Sequence, residues 1–144
     1  AFDVIEQFNL PVLIGLHIKQ NGNLPSKESL SKVLDKCRNK NLLGVILACV
    51  SPEIIKKTIN EIKQLNIPFG FKANLWKIKE PLPHTVWKSK AGINPIESLG
   101  TRKDYTDIKF YNFSKEMMDK GATILGGCCE IKPSHIKKIS KLKN

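Results

Sequence analysis

The sequence predicts an α/β fold built on a parallel sheet. Three observations carry this. Short apolar runs alternate with helix-period segments, the pattern of repeated βα units. The clearest runs are continuously apolar, as strands covered on both faces are. Turn-forming residues separate run from helix.

Residues 11–18, PVLIGLHI, form the first apolar run. The turn-rich NGNLPS follows, and then a predicted helix from about Lys27 to Lys40. Ser26 is placed to cap it, with Leu30, Val33, Leu34 and Cys37 on its inner stripe. The second run is LLGVILAC, residues 42–49. Ser51, Pro52 and Glu53 then supply an N-cap, a first-turn proline and a first-turn carboxylate. Ile54, Ile55, Ile59, Ile62 and Leu65 mark that helix's buried face. Pro68 to Lys72 reads as a third strand and Ala122 to Gly126 as a fourth. Between them a helix is predicted from about Thr106 to Lys120, with Gly121 at a left-handed C-cap. A last helix opens at Pro133 and turns Ile136, Ile139 and Leu142 inward. Residues 75–105 lack periodicity and contain Trp76, Trp87 and three prolines. A loop of that length in a compact domain is expected to act as a lid.

The chain opens without Met, and Phe2, Ile5 and Phe8 repeat at helical spacing before Pro11. It therefore reads as a fragment that begins inside a helix. At 144 residues it is the length of one domain. Four βα units fit either a small open sheet or half of an eight-stranded barrel, which needs about 250 residues.

Net charge is +11. Of the 24 basic residues, however, only Arg38 and Arg102 are arginine, and arginine supplies the forked contacts that read phosphate and guanine. The lysines are scattered along helix faces, apart from a cluster at Lys137, Lys138, Lys141 and Lys143. A solvated surface is expected, with no nucleic-acid partner. No signal-peptide core and no membrane-length apolar run is present, so a soluble, cytoplasmic protein is expected.

Four cysteines without a secretory signal do not suggest a disulfide framework. Cys49 ends one predicted strand, and the pair Cys128-Cys129 ends another. In α/β folds the carboxyl ends of parallel strands share one rim, so these thiols are expected to meet. Gly126 and Gly127 would let the chain turn sharply before the pair. Three thiolates without a fourth protein ligand describe an open zinc site. Spacing also leaves open a second reading, in which strand-end cysteines are small buried hydrophobes. Cys37, on an inner helical stripe, reads as core.

Gly121 to Ile136, GATILGGCCEIKPSHI, closely resembles the segment that closes homocysteine S-methyltransferase domains. ACVSPE, residues 48–53, resembles the family's other cysteine segment, and Asn74 in FKANLW matches the Asn after its seventh strand. The chain departs from the family where Ile46 and Ala48 replace a usual Gly and Asn, and where Lys72-Ala73-Asn74 stands for Tyr-Pro-Asn.

The resemblance covers essentially the whole chain and implies strands five to eight of a (β/α)8 TIM barrel, the C-terminal half of the domain. It implies Zn2+ on Cys49, Cys128 and Cys129, with Asn74 at the substrate. The implied activity is methyl transfer from a small donor to the thiol of homocysteine, giving methionine, the zinc generating the thiolate nucleophile. Trp76 and Trp87 would offer an aromatic face to a cationic donor or pack the lid. His135 is expected to make a structural hydrogen bond in the first turn of the last helix. The segments with which the family helps hold homocysteine lie in strands this chain lacks. An incomplete half-barrel that binds zinc or self-associates without turnover is therefore the alternative.

Overall fold

The structure, a computed structural model, describes residues 7–8, 10–37, 41–77 and 99–143. The helix expected over residues 1–10 and most of the loop over 75–105, with Trp87, lie outside them. So do the C-terminal end of the first helix and the side chain of Cys37.

Four parallel strands, β1 (Val12–Leu16), β2 (Leu42–Val50), β3 (Phe69–Ala73) and β4 (Ile124–Gly127), pair in chain order. Among the described residues, four helices accompany them: α1 (Leu30–Cys37), α2 (Pro52–Lys63), α3 (Asp107–Asp119) and α4 (Pro133–Ile139). A short 3-10 turn, Ser140–Leu142, follows α4. Sequential order without a switch point is the arrangement of barrels, so the sheet is compatible with part of a (β/α)8 barrel.

Strand alternation divides the two faces of the sheet. Val45, Leu47, Phe69, Phe71 and Ala73 point to the helices and are buried. They join residues of all four helices in one continuous core, which includes Leu30, Ile55, Phe110 and Ile139. Phe71 is its centre, with ring centroids 4.9 Å from Phe113 and 6.5 Å from Phe110. Burying such a side chain contributes about 1.5–3 kcal/mol. The opposite face carries Leu13, Gly15, Ile46, Ala48, Lys72 and Gly126, none of them fully buried. Among the described residues, no helix is long and apolar enough to cross a membrane.

Several boundaries differ from expectation. The first helix begins at Leu30, because Lys27 adopts φ 72° within a turn closed by Leu24 and Glu28. Ser29 replaces Ser26 as the capping side chain, receiving the Lys32 amide at 3.4 Å. Ser51 stands at the α2 N-cap, but its buried hydroxyl makes no capping bond, and Pro52 and Glu53 open the helix as expected. Ile139 is buried as expected, but Ile136 is 41% exposed, and His135 is turned inward in its place. The end of α3 follows expectation. Gly121, at φ 101°, donates to the Met118 carbonyl, and Ala122 donates to that of Met117.

Candidate metal centre

Cys49 stands next to last in β2, where the pairing with β3 slips by one residue between Ala48 and Val50. This bulge puts Cys49 at φ 56°, a left-handed conformation that costs a non-glycine residue about 1–3 kcal/mol. The slip rotates the thiol out of the strand's alternation.

Asn74, the first residue after β3, holds that conformation. It is 5% exposed and donates its side-chain amide to the Cys49 carbonyl at 2.6 Å. The same nitrogen lies 3.8 Å from the Cys49 sulfur. The Asn74 backbone amide reaches Val50, and its side-chain oxygen accepts from the Trp76 amide at 3.2 Å. Sequence reasoning assigned Asn74 to substrate; its described hydrogen bonds run to the cysteine-bearing strand and to its own loop.

Cys128 and Cys129 follow β4 directly. The Cys128 amide donates to the Ala73 carbonyl at 2.7 Å, extending the ladder by one bond. The Cys129 carbonyl accepts from Leu75, and that of Cys128 from Ile131, closing a tight turn. Glu130, at φ 64°, supplies the turn's left-handed residue. Gly127 is there for space rather than for a special dihedral. A Cβ on it would lie 2.3 Å from a methyl carbon of Ile131.

The three sulfurs therefore converge. Cys49 and Cys129 are 3.7 Å apart, Cys128 and Cys129 are 3.8 Å apart, and all three lie within 4.8 Å of one another. Two ligands at the usual zinc–sulfur distance on a tetrahedral ion are separated by about 3.8 Å. Two of the three spacings match that figure without adjustment, so the donor set fits a tetrahedral thiophilic cation with one corner left over.

Electrostatics favours the same occupant. Burial is the main cause that pushes the Cys49 thiol up to about 12, and the neighbouring Cys128 and Cys129 add to it. Cys129 is also raised, chiefly by burial. Cys49 and Cys129 are thus held toward the protonated form unless a cation supplies compensating charge.

Around the site, the two ends of the long loop are pinned together. Trp76 bridges Thr101, Lys77 donates to Gly100, and Arg102 donates to Leu75. Thr101 also donates to the Glu130 carboxylate, tying this base to the cysteine turn. The Arg102 guanidinium is 9% exposed and grips Glu53, in the first turn of α2, together with Asp104. His135 is 4% exposed. It accepts the Lys132 amide on Nδ1 and donates from Nε2 to the Tyr105 carbonyl at 3.1 Å, a structural pairing. A cleft of about 940 Å³ on the outer side of the rim is lined by His135 and Arg102 but contains none of the sulfurs. Its most buried polar groups, His135 and Arg102, already have protein partners.

His17 is a neighbour that sequence reasoning passed over. Its Nδ1 donates to the Ala48 carbonyl, next to Cys49, and its buried Nε2 has no partner among the described residues. Only the pairing of β1 with β2 brings it there, so no local signal could have found it.

The sequence profile of the Homocysteine S-methyltransferase family matches residues 1–142. Homocysteine S-methyltransferase 1 of Brassica oleracea var. italica is 28% identical over 138 residues, 94% of this chain and 38% of the relative. The enzyme of the same name from Zea mays is 28% identical over 143 residues, 95% of this chain and 39% of the relative. Homocysteine S-methyltransferase 3 of Arabidopsis thaliana is 25% identical over 141 residues, 95% of this chain and 36% of the relative. The chain thus spans less than two-fifths of the length of these curated relatives. With the profile running from its first residue almost to its last, the chain belongs to the homocysteine S-methyltransferase family.

Proposed function

We propose that the protein transfers a methyl group from a small donor to the sulfur of homocysteine, giving methionine, at a zinc site formed by Cys49, Cys128 and Cys129. The convergence of three sulfurs within 4.8 Å, two of their spacings tetrahedral, carries the reading. When bound, zinc supplies the positive charge that makes a thiol a thiolate at neutral pH and leaves a position for the acceptor.

The chain's own residues act around that position. Asn74 orients Cys49 through its carbonyl, so its service to the substrate runs through the ligand. The Thr101–Glu130 bond holds the cysteine turn to the base of the loop. A lid over 75–105 would exclude water from a reacting thiolate. Reduced thiols suit a cytoplasmic setting. In this reading residues 1–144 are strands five to eight of the barrel, its C-terminal half, and the relatives' greater length is what supports it.

Metal analysis on protein expressed from the complete reading frame tests the proposal. Zinc near one per chain, lost on Cys128→Ser, and methyl transfer to homocysteine from a sulfonium or quaternary ammonium donor are expected. Protein purified under reducing conditions without zinc would overturn it. Zinc binding and self-association without turnover would favour the incomplete half-barrel.

A further inference from the structure

Lys72 is set apart from the other described lysines by its position in the fold. It lies within β3, on the face of the sheet turned away from the helices, between the helix-facing Phe71 and Ala73. Register puts it beside Ala48 of β2 and Gly126 of β4. These two small neighbours leave room around its stem, whose Cγ lies 3.9 Å from where a Gly126 Cβ would be. Its ammonium has no ion-pair or hydrogen-bond partner among the described residues, whereas Arg102, Lys56 and Lys109 are all paired.

The row is also adjacent to the cysteines. Ala48 immediately precedes Cys49, Gly126 is two residues before Cys128, and Lys72 is two before Asn74. A flexible four-carbon stem thus carries a cation along the open face beneath the rim. Three thiolates on a dication leave one negative charge, and an anionic substrate would add to it. An ammonium on this face offsets both.

We propose that Lys72 is a specificity-determining residue that binds the carboxylate of the acceptor amino acid while its sulfur lies at the cysteines. This rests on the methyl-transfer reading above, and it adds a residue whose charge would favour a thiol that carries a carboxylate over one that lacks it.

The test uses protein from the complete reading frame, wild type, Lys72→Met and Lys72→Arg. Losing a charge-assisted contact is expected to raise KM for homocysteine about 10- to 100-fold in Lys72→Met, with kcat changed far less. Lys72→Arg should recover most of the loss. Calorimetric binding separates the two ends of the acceptor. Mercaptobutanoate, which keeps the carboxylate, should bind more weakly to Lys72→Met, and mercaptopropylamine, which lacks it, should be unaffected. Equal weakening of both thiols, or an unchanged homocysteine KM, overturns the proposal. If wild type lacks zinc or turnover, the methyl-transfer reading fails instead. The mercaptobutanoate comparison then still decides whether Lys72 is a carboxylate site.

Discussion

The carboxamide of Asn74 donates to the carbonyl of Cys49 at 2.6 Å, across the bulge that gives Cys49 its left-handed backbone. A buried side chain from one strand end thereby sets the direction of a thiol on the next. Asn74→Ala would leave the Cys49 carbonyl without this donor and free the bulge to relax. A loss of about 1–3 kcal/mol in urea unfolding of the metal-free protein is expected. Zinc affinity, measured by competition with a chelator, should fall about 10- to 100-fold, as for other residues that orient metal ligands. Unchanged affinity would show that the bond does not position the thiol.

The conformation of Cys49 gives a separate prediction. At φ 56°, glycine is comfortable and alanine is not. Both Cys49→Gly and Cys49→Ala should abolish stoichiometric zinc. The glycine variant should nonetheless be the more stable of the two by about 1 kcal/mol, the reverse of the usual order within a strand. Thermal melts of the metal-free variants decide this, and a more stable alanine variant would mean that the bulge does not persist without the thiol.

The strands were legible because PVLIGLHI and LLGVILAC are continuously apolar and too short for a buried helix. Leu13 and Leu43 nonetheless stay exposed among the described residues, where cover on both faces was expected. The meeting of Cys49 with Cys128 and Cys129 was likewise legible, since parallel strands share a rim. Details set by local competition were not. Ser26 and Ser29 are equally good caps in sequence, and the left-handed Lys27 between them decided for Ser29. Ile136 and Ile139 have the same helical spacing from other apolar residues, yet the polar His135 takes the inward position by finding two backbone partners. The left-handed backbone of Cys49 depends on a register slip against β3, which no property of residues 42–50 announces.

Gly127 makes room for the cysteine turn. A Cβ there would stand 2.3 Å from the Cγ2 methyl of Ile131 and 2.6 Å from its Cβ, too close for a rotamer change alone to relieve. Gly127→Ala is therefore expected to cost about 1–3 kcal/mol by overpacking and to displace Cys128 and Cys129. Adding Ile131→Gly removes both the obstructing branch and the Cβ, so the double variant should recover zinc binding relative to Gly127→Ala and lose less stability than the two single losses summed. A double-mutant cycle in chemical denaturation measures this coupling. Strict additivity would place the clash elsewhere.

The protonation of the thiols predicts how metal binding responds to pH. In the metal-free chain, burial and the neighbouring cysteines raise Cys49 from its ordinary 9.0 toward about 12, and burial raises Cys129. The folded state then holds these protons more tightly than the unfolded chain does. Their contribution to stability is fully present below the unfolded value and is lost as pH rises through the folded one. Metal-free protein should accordingly lose stability on titration from about pH 9 upward. Zinc reverses the preference, because each ligand must give up its proton to bind. At neutral pH, uptake of one zinc should release at least the two protons of Cys49 and Cys129, and apparent affinity should climb steeply as pH increases toward 9.0. Calorimetry in buffers of different ionisation enthalpy counts the protons directly. Cys49→Ser should lower the count by about one; release near zero in wild type would mean that the thiols are already ionised, against the environment that surrounds them.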